Sequence, residues 1–366
     1  MNPKPKYTKK QVERAGKKLP CDSLFSNGEE FSEVMDILSF WRFSHEVPLE
    51  RAFEILQEEV LKVEKRPIFG KRLKRHSSIS LKLRRFDKMS LKNMQDIGGC
   101  RAVASSQKKV RKVVAALKKY PEFRNSRGNF KIKDYIKKPK DDGYRSFHII
   151  GYFPNQAGEK KLIEIQLRTY IQHYWATALE IVDIFTNQAL KSNQGDKNWA
   201  DFFIGTSYMF ALIEDIPLFH SMSAGQRLQK FSATLRRNPK AVEKWKDLKK
   251  LMAKLKVIKA LEAYANSLQI MNEQIETKSI NGYVILIITI KETEGEVLSK
   301  VFTPEGSQKA EEEYIKSEKK YAGKDNVVVA MVSTSSMGEI KTAYPNYFAD
   351  SSSFIALLHL IRIATP

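Results

Sequence analysis

Cysteine is nearly absent: Cys21 and Cys100 are the only two in 366 residues. They are far apart, which excludes a disulfide framework and any cysteine zinc site and fits a reducing compartment. Long apolar runs are missing as well. The longest, "YVILIITI" and "FIALLHLIRIA", are too short to span a bilayer. The opening "MNPKPKYTKKQVERAGKKLP" is charged throughout, so no secretory signal is expected. These absences lead us to expect a soluble, cytoplasmic protein with no membrane partner.

Acidic charge is scarce too, and unevenly so. The chain has 63 Lys and Arg against 42 Asp and Glu, a formal charge of +21. Residues 279–366 hold only 9 of those cations against 11 of the acids, leaving 54 against 31 in the remainder. A body that basic commonly faces phosphate, on RNA, DNA, a nucleotide or an anionic membrane. The near-neutral tail reads as a separate module.

The pattern along the chain gives helix, then a mixed α/β core, then helix. "EEFSEVMDILSFWRF" and "PLERAFEILQEEVLKVE" are amphipathic. "DIGGCRAVAS", "FKIKDYI", "SFHIIGYF" and "KLIEIQLRT" suit strands, with the basic helix "KKVRKVVAALKKY" after the first. Helical spacing returns at Tyr170 and continues to about Ile275. In the tail, "GYVILIITI" and "NVVVAMVST" flank the charged helix "PEGSQKAEEEYIKSEKKY", and an apolar helix closes the chain. The fold class is therefore α/β (α+β), a mixed sheet flanked by helices with a small α/β unit at the end. Expected domains are 1–275 and 276–366.

Several residues on this frame carry chemistry. Asp96 opens one strand and Glu164 lies within another, and carboxylates on neighbouring strands can share Mg²⁺ while leaving its other positions to phosphate oxygens. Any two strands supply acids, so the pair alone does not single out a metal. Arg72, Lys74, Ser78 and Lys82 precede Asp96 in "KRLKRHSSISLK", and Arg101 follows it. Together they offer donors for a triphosphate and two guanidinium planes for stacking on a base. The loop "KDYIKKPKDDGYRSFH" supplies a second set: Tyr144 as a stacking ring, with Lys133, Lys140, Arg145 and His148 as phosphate ligands. Lys108, Lys109, Arg111 and Lys112 on the basic helix are equally a nucleic-acid contact or a solvated face.

"RLKRHSSISLKLRR", "DIGGCR", "KDYIKKPKDDGYRSFH" and "EIQLRTYIQHYWA" occur in order. Over roughly residues 40 to 200 this series resembles the synthetase domain of the RelA/SpoT family. The resemblance implies a nucleotidyltransferase-like core that transfers pyrophosphate from ATP to a ribose 3′-hydroxyl. By motif, Asp96 and Glu164 would be catalytic and hold Mg²⁺, and Glu164 would complete the metal site or act as base. Arg72 and Arg101 would sandwich adenine, while Lys74, Ser78 and Lys82 grip phosphates. Tyr144 would stack on the acceptor base, with His148, Gln166 and Arg168 on the acceptor side. No His-Asp dipeptide occurs in the chain, so the hydrolase motif of long members is missing. Asp141 and Asp142 stand where alarmone-making members usually have Pro-Asn, and would repel a nucleotide diphosphate.

The tail resembles the fused antitoxin of the toxic small alarmone synthetases of CapRel type. "AYPNYF" matches their Tyr-x-x-Tyr element through Tyr344 and Tyr347. The resemblance implies a zinc-finger-like domain without zinc that occupies the adenine pocket. It also implies tRNA 3′ CCA ends as acceptor, arrest of translation, and release by a phage capsid protein. The alternative is a synthetase of (p)ppGpp or (p)ppApp with a regulatory tail. The final helix, with Phe354, Leu357, Leu358 and Ile361 on one face, is equally an anchor for that tail or ordinary core.

Overall fold

A computed structural model describes residues 6–21, 24, 28–186, 196–262, 282–291, 294–303, 306–321, 324, 327–334 and 352–366. Its centre is a five-stranded sheet in the order β1-β2-β5-β4-β3. The strands are β1 (Ile68–Leu73), β2 (Gly98–Ala104), β3 (Lys131–Asp134), β4 (Phe147–Pro154) and β5 (Lys160–Thr169). Only the central pair, β2 and β5, runs parallel; the other neighbours are antiparallel.

Side chains alternate across a strand, so each strand has one face for each side of the sheet. Ile163, Ile165 and Leu167 of β5 point to the same side as Cys100, Ala102, Phe147 and Ile149. Helices α3 (Glu46–Leu61) and α5 (Gln107–Leu117) cover that side with Leu49, Ala52, Ile55, Leu56, Val110, Val113 and Leu117. Their spacing of three and four residues puts them on one stripe of each helix. Truncating Leu56, which is fully buried, to alanine should cost roughly 2–5 kcal/mol.

Against the other side of the sheet, and flanking the site, stands a helical layer: α6 (Tyr170–Thr186), α7 (Lys197–Glu214), α8 (Ala224–Arg236) and α9 (Pro239–Lys254). Its core is aromatic, with Trp175, Phe202, Phe203, Phe210, Phe231 and Trp245 all buried. A third cluster joins α1 (Lys9–Lys18) and α2 (Gly28–Phe43) to Ile79 and Leu83 of α4 (His76–Arg85).

The tail contains a three-stranded antiparallel sheet, β7-β6-β8. Its strands are β6 (Gly282–Lys291), β7 (Glu294–Phe302) and β8 (Val327–Thr334), and α10 (Ser307–Tyr321) packs across it. The two β-branched runs thus form strands as expected; β7 is an additional one. Helix α10 also meets α2. Buried Arg42 donates to Glu318 at 2.7 Å and to the Tyr314 hydroxyl at 2.7 Å, and that hydroxyl donates to Glu318 at 2.6 Å. The last helix, α11 (Ser352–Ile363), lies in the helical layer with Phe354, Leu358 and Ile361 buried. Trp245 Nε1 donates to the Ile361 carbonyl at 2.8 Å. The expected boundary near residue 275 lies outside the described residues, as do Tyr344 and Tyr347.

Candidate active site

The sheet face away from α3 and α5 forms the floor of a cleft of about 910 Å³. Register alone assembles that floor. Gly70 pairs with Arg101 and Arg72 with Gly99, so both arginines share one face and each stands opposite a glycine. The same face continues through Glu164 and Gln166 of β5, which pair with Gly99 and Arg101. It ends at His148 of β4, opposite Gln166, and Lys133 of β3, opposite His148. All of these residues line the cleft, with Lys74, Ser78 and Lys82 at one wall and Lys140 and Tyr144 at the other.

Asp96 sits just before β2 and is gripped by two ammonium groups. Lys74 Nζ is 3.0 Å from one carboxylate oxygen and Lys82 Nζ 2.8 Å from the other. Burial works against ionisation, but these cations outweigh it and hold the carboxyl below its usual range. The Glu164 charge is close enough to push Asp96 the other way. Lys74 is itself depressed by burial.

Glu164 belongs to a closed ring of five side chains. His148 Nδ1 meets its Oε1 at 3.0 Å, and Gln166 Nε2 donates to its Oε2 at 2.6 Å. The Tyr144 hydroxyl lies 2.8 Å from His148 Nε2. Arg168 closes the ring by donating to Tyr144 at 2.9 Å and to Gln166 Oε1 at 3.0 Å. Burial raises Glu164, but His148 and Gln166 reverse that and leave it at about 2. The same contacts favour protonated His148: burial lowers it, yet the Tyr144 and Glu164 charges raise it above its ordinary value. A carboxylate so placed is ionised and fixed in orientation at neutral pH.

The Tyr144 turn is built by its neighbours. Gly143 has φ +89°, and a Cβ there would come within 3.0 Å of Ser207 Cβ and 3.2 Å of Ile204 Cα on α7. Glycine is required by conformation and by contact alike. Asp142 accepts from the Tyr144 backbone N–H at 2.8 Å. Lys140 Nζ stands 4.8 Å from the centre of the Tyr144 ring and 4.9 Å from that of Tyr135.

One expected ligand is not brought into the cleft. Arg145 turns away, donating to Ser207 Oγ at 3.2 Å and to the Ile136 carbonyl at 3.1 Å. The expectation that it holds phosphate is corrected: it braces the loop on α7. Tyr135 was missed by the sequence reading. It lines the cleft, edge-on to His148 with ring centres 5.2 Å apart. Glu180 and Asp183, one turn apart on α6, also line the cleft and give its far wall acid character. Their three-residue spacing between buried Leu179, Ile181 and Val182 was the available signal.

Among the described residues no group of three or more His, Cys, Asp or Glu is arranged for a metal. Two carboxylates beside a basic wall nonetheless suit Mg²⁺, which needs only one or two protein acids when phosphate oxygens and water fill its shell.

A family model described as the region found in RelA / SpoT proteins matches residues 71–182. Residues 71–182 are thus similar to that region. The GTP pyrophosphokinase YwaC of Bacillus subtilis is 36% identical over 88 residues, 23% of this chain and 40% of that protein. The GTP pyrophosphokinase YjbM of the same organism is 36% identical over 93 residues, 24% and 41% of the two chains. The chain thus spans about two-fifths of the length of these relatives. Among solved structures, small alarmone synthetase 2 of Bacillus subtilis aligns with 48% of this chain and 92% of its own, at 26% identity and a TM-score of 0.39. A GTP pyrophosphokinase family protein of Streptococcus pneumoniae aligns with 52% and 96%, at 21% identity and a TM-score of 0.39. The matched residues include the cleft-floor residues from Arg72 to Arg168, with Gly70 just before them. Helices α7–α9 and the tail lie outside it.

Proposed function

We propose that the chain is an ATP-dependent pyrophosphokinase whose acceptor is the 3′-hydroxyl of the tRNA CCA end. The observation that carries this reading is the single cleft in which Asp96 and Glu164 stand between a basic wall and the Tyr144 loop. Lys74, Ser78 and Lys82 bind the ATP phosphates, and Arg72 and Arg101 flank adenine. Asp96 and Glu164 would hold Mg²⁺, which supplies charge neutralisation on the triphosphate when bound. Tyr144, Lys133, Lys140, His148, Gln166 and Arg168 form the acceptor side. The hydrogen-bond ring keeps Glu164 ionised and aimed, so it takes the proton of the acceptor hydroxyl as that oxygen bonds to the β-phosphorus and the bond from that phosphorus to AMP breaks. In-line positioning and charge neutralisation are the main demands of such a transfer.

The basic body supports a polyanionic acceptor, and Asp141 and Asp142 at the cleft disfavour a small nucleotide diphosphate. The second reading, synthesis of a guanine alarmone, is favoured by the names of the two relatives, both GTP pyrophosphokinases. In our reading the tail, a zinc-free zinc-finger-like unit over residues 276–366, restrains the synthetase until a phage major capsid protein binds it. Until that binding Tyr344 and Tyr347 would block the adenine pocket, and arrest of translation would follow release. Support for restraint comes from α10, whose Glu318 carboxylate is 3.5 Å from the His76 backbone N–H at the start of α4, the helix that bears Ser78 and Lys82. Co-expression with capsid protein tests release: growth arrest that depends on Glu164 supports it, and unaltered growth with both proteins present removes the trigger.

A further inference from the structure

A strongly positive patch lies outside the cleft, on the α8–α9 hairpin. Residues 224–262 contain 12 Lys and Arg against 3 Asp and Glu. Arg236, Arg237 and Lys240 are exposed at the hairpin turn. Lys246, Lys250 and Lys254 then form an exposed ridge at four-residue spacing along α9. The opposite face of α9, with Ala241, Trp245, Leu248 and Met252, is buried, so the ridge points to solvent.

Such an arrangement opposes helix stability. Like charges four residues apart on a helix repel and destabilise it. Some cations elsewhere are paired: Lys62 with Glu58 and Glu59, Lys109 with Glu64, and Arg111 with Asp134. Those last two pairs occupy half of the α5 cations that the sequence offered as a nucleic-acid contact. On the hairpin, by contrast, Arg236, Arg237, Lys240 and Lys246 form no ion pair among the described residues, and Lys250 meets Asp247 only at 3.5 Å on an exposed surface.

The hairpin is placed to serve the cleft. Helix α9 packs on α7, and α7 packs on α6, which lines the cleft. Two helix-to-helix steps of 8–10 Å put the ridge roughly 20 Å from the cleft. We propose that the α8–α9 hairpin is the docking surface for the double-stranded arm of an RNA whose 3′ end enters the cleft. The inference rests on the tRNA reading above. A lipid surface fits less well, because membrane-bound helices expose an apolar face, and no large hydrophobic residue between 224 and 262 is exposed.

The test is filter binding of deacylated bulk tRNA to the full chain across a salt series. It compares wild type with Arg236→Gln/Arg237→Gln/Lys240→Gln/Lys246→Gln/Lys250→Gln and with Lys108→Gln/Lys112→Gln. All substituted positions are exposed, so circular dichroism melting should match wild type. The hairpin variant should flatten the slope of log affinity against log salt by about 4.5, at roughly 0.9 for each of the RNA phosphates left without its cation. An unchanged slope there with a flatter one in the α5 variant would move the footprint to α5 and overturn the proposal. Unchanged slopes in both would make the hairpin a solvated surface. Wild type that binds no tRNA would sink the tRNA reading itself, whereas tRNA binding untouched by the hairpin variant sinks only this inference. Binding to phosphatidylserine-containing vesicles, abolished in the hairpin variant with tRNA binding intact, would assign the patch to a membrane surface instead.

Discussion

At the scale of single residues, Glu164 and Gly143 make the sharpest demands. Glu164 is held at about 2 by His148 and Gln166, so Glu164→Gln removes a charge and not merely a hydrogen-bond acceptor. Transfer should fall by at least the ~10²–10⁴-fold that a positioned acid-base group contributes. ATP affinity, measured by titration calorimetry, should change little, since Lys74, Ser78 and Lys82 are untouched and Asp96 remains to hold Mg²⁺. Near-wild-type turnover in Glu164→Gln would remove the assigned role. Gly143→Ala must bear both a positive φ and a 3.0 Å contact with α7. It should destabilise the protein by about 1–3 kcal/mol and raise the KM for the acceptor more than that for ATP. Equal effects on both KM values would mean that the turn does not serve the acceptor. The motif loop itself was legible in sequence. The direction of Arg145 was not, because its partners Ser207 and Ile136 are set by tertiary packing and leave no local pattern.

At the scale of elements, period-two alternation in β5 already separated Ile163, Ile165 and Leu167 from Glu164, Gln166 and Arg168, and the register of its neighbours completed the floor. Strand β7 escaped because "EGEVLSKVF" mixes charges and small residues into its apolar positions. The place of α11 was left open between anchor and core; its buried Phe354, Leu358 and Ile361 lie within the helical layer, a contact across more than a hundred residues of sequence. The α10 contact was likewise invisible, since Arg42 and Glu318 are 276 residues apart. Both are nearly fully buried, and removing one partner of such a pair strands the other charge. Arg42→Met should therefore cost roughly 3–5 kcal/mol. Arg42→Met combined with Glu318→Leu should recover most of that loss in thermal melts. Additive losses in the double variant would show that the two side chains do not act as a pair.

For the whole molecule, sensitivity to acid follows from histidines kept neutral by burial. His45 and His173 are both depressed to about 3, burial being the first cause, and His76 is lowered for the same reason. In the unfolded chain these rings protonate near 6.5, while the folded protein still holds them neutral. The folded state thus binds fewer protons over that interval, and its stability is full above about pH 6.5 and declines as pH falls toward 3. Melting temperature should drop steadily across this window, and His173→Gln should flatten the slope. A flat profile in wild type would mean that the rings are not buried as described.

The cleft's central claim is transfer of pyrophosphate to an RNA 3′ end through Asp96 and Glu164. The most direct measurement incubates γ-labelled ATP with the protein, bulk tRNA and GDP together, with capsid protein added to relieve restraint and Glu164→Gln as control. Label on tRNA from the wild type alone, removed by oxidising the 3′-terminal ribose beforehand, is the expected result. Label on GDP with tRNA left unlabelled would contradict the account and make the chain an alarmone synthetase.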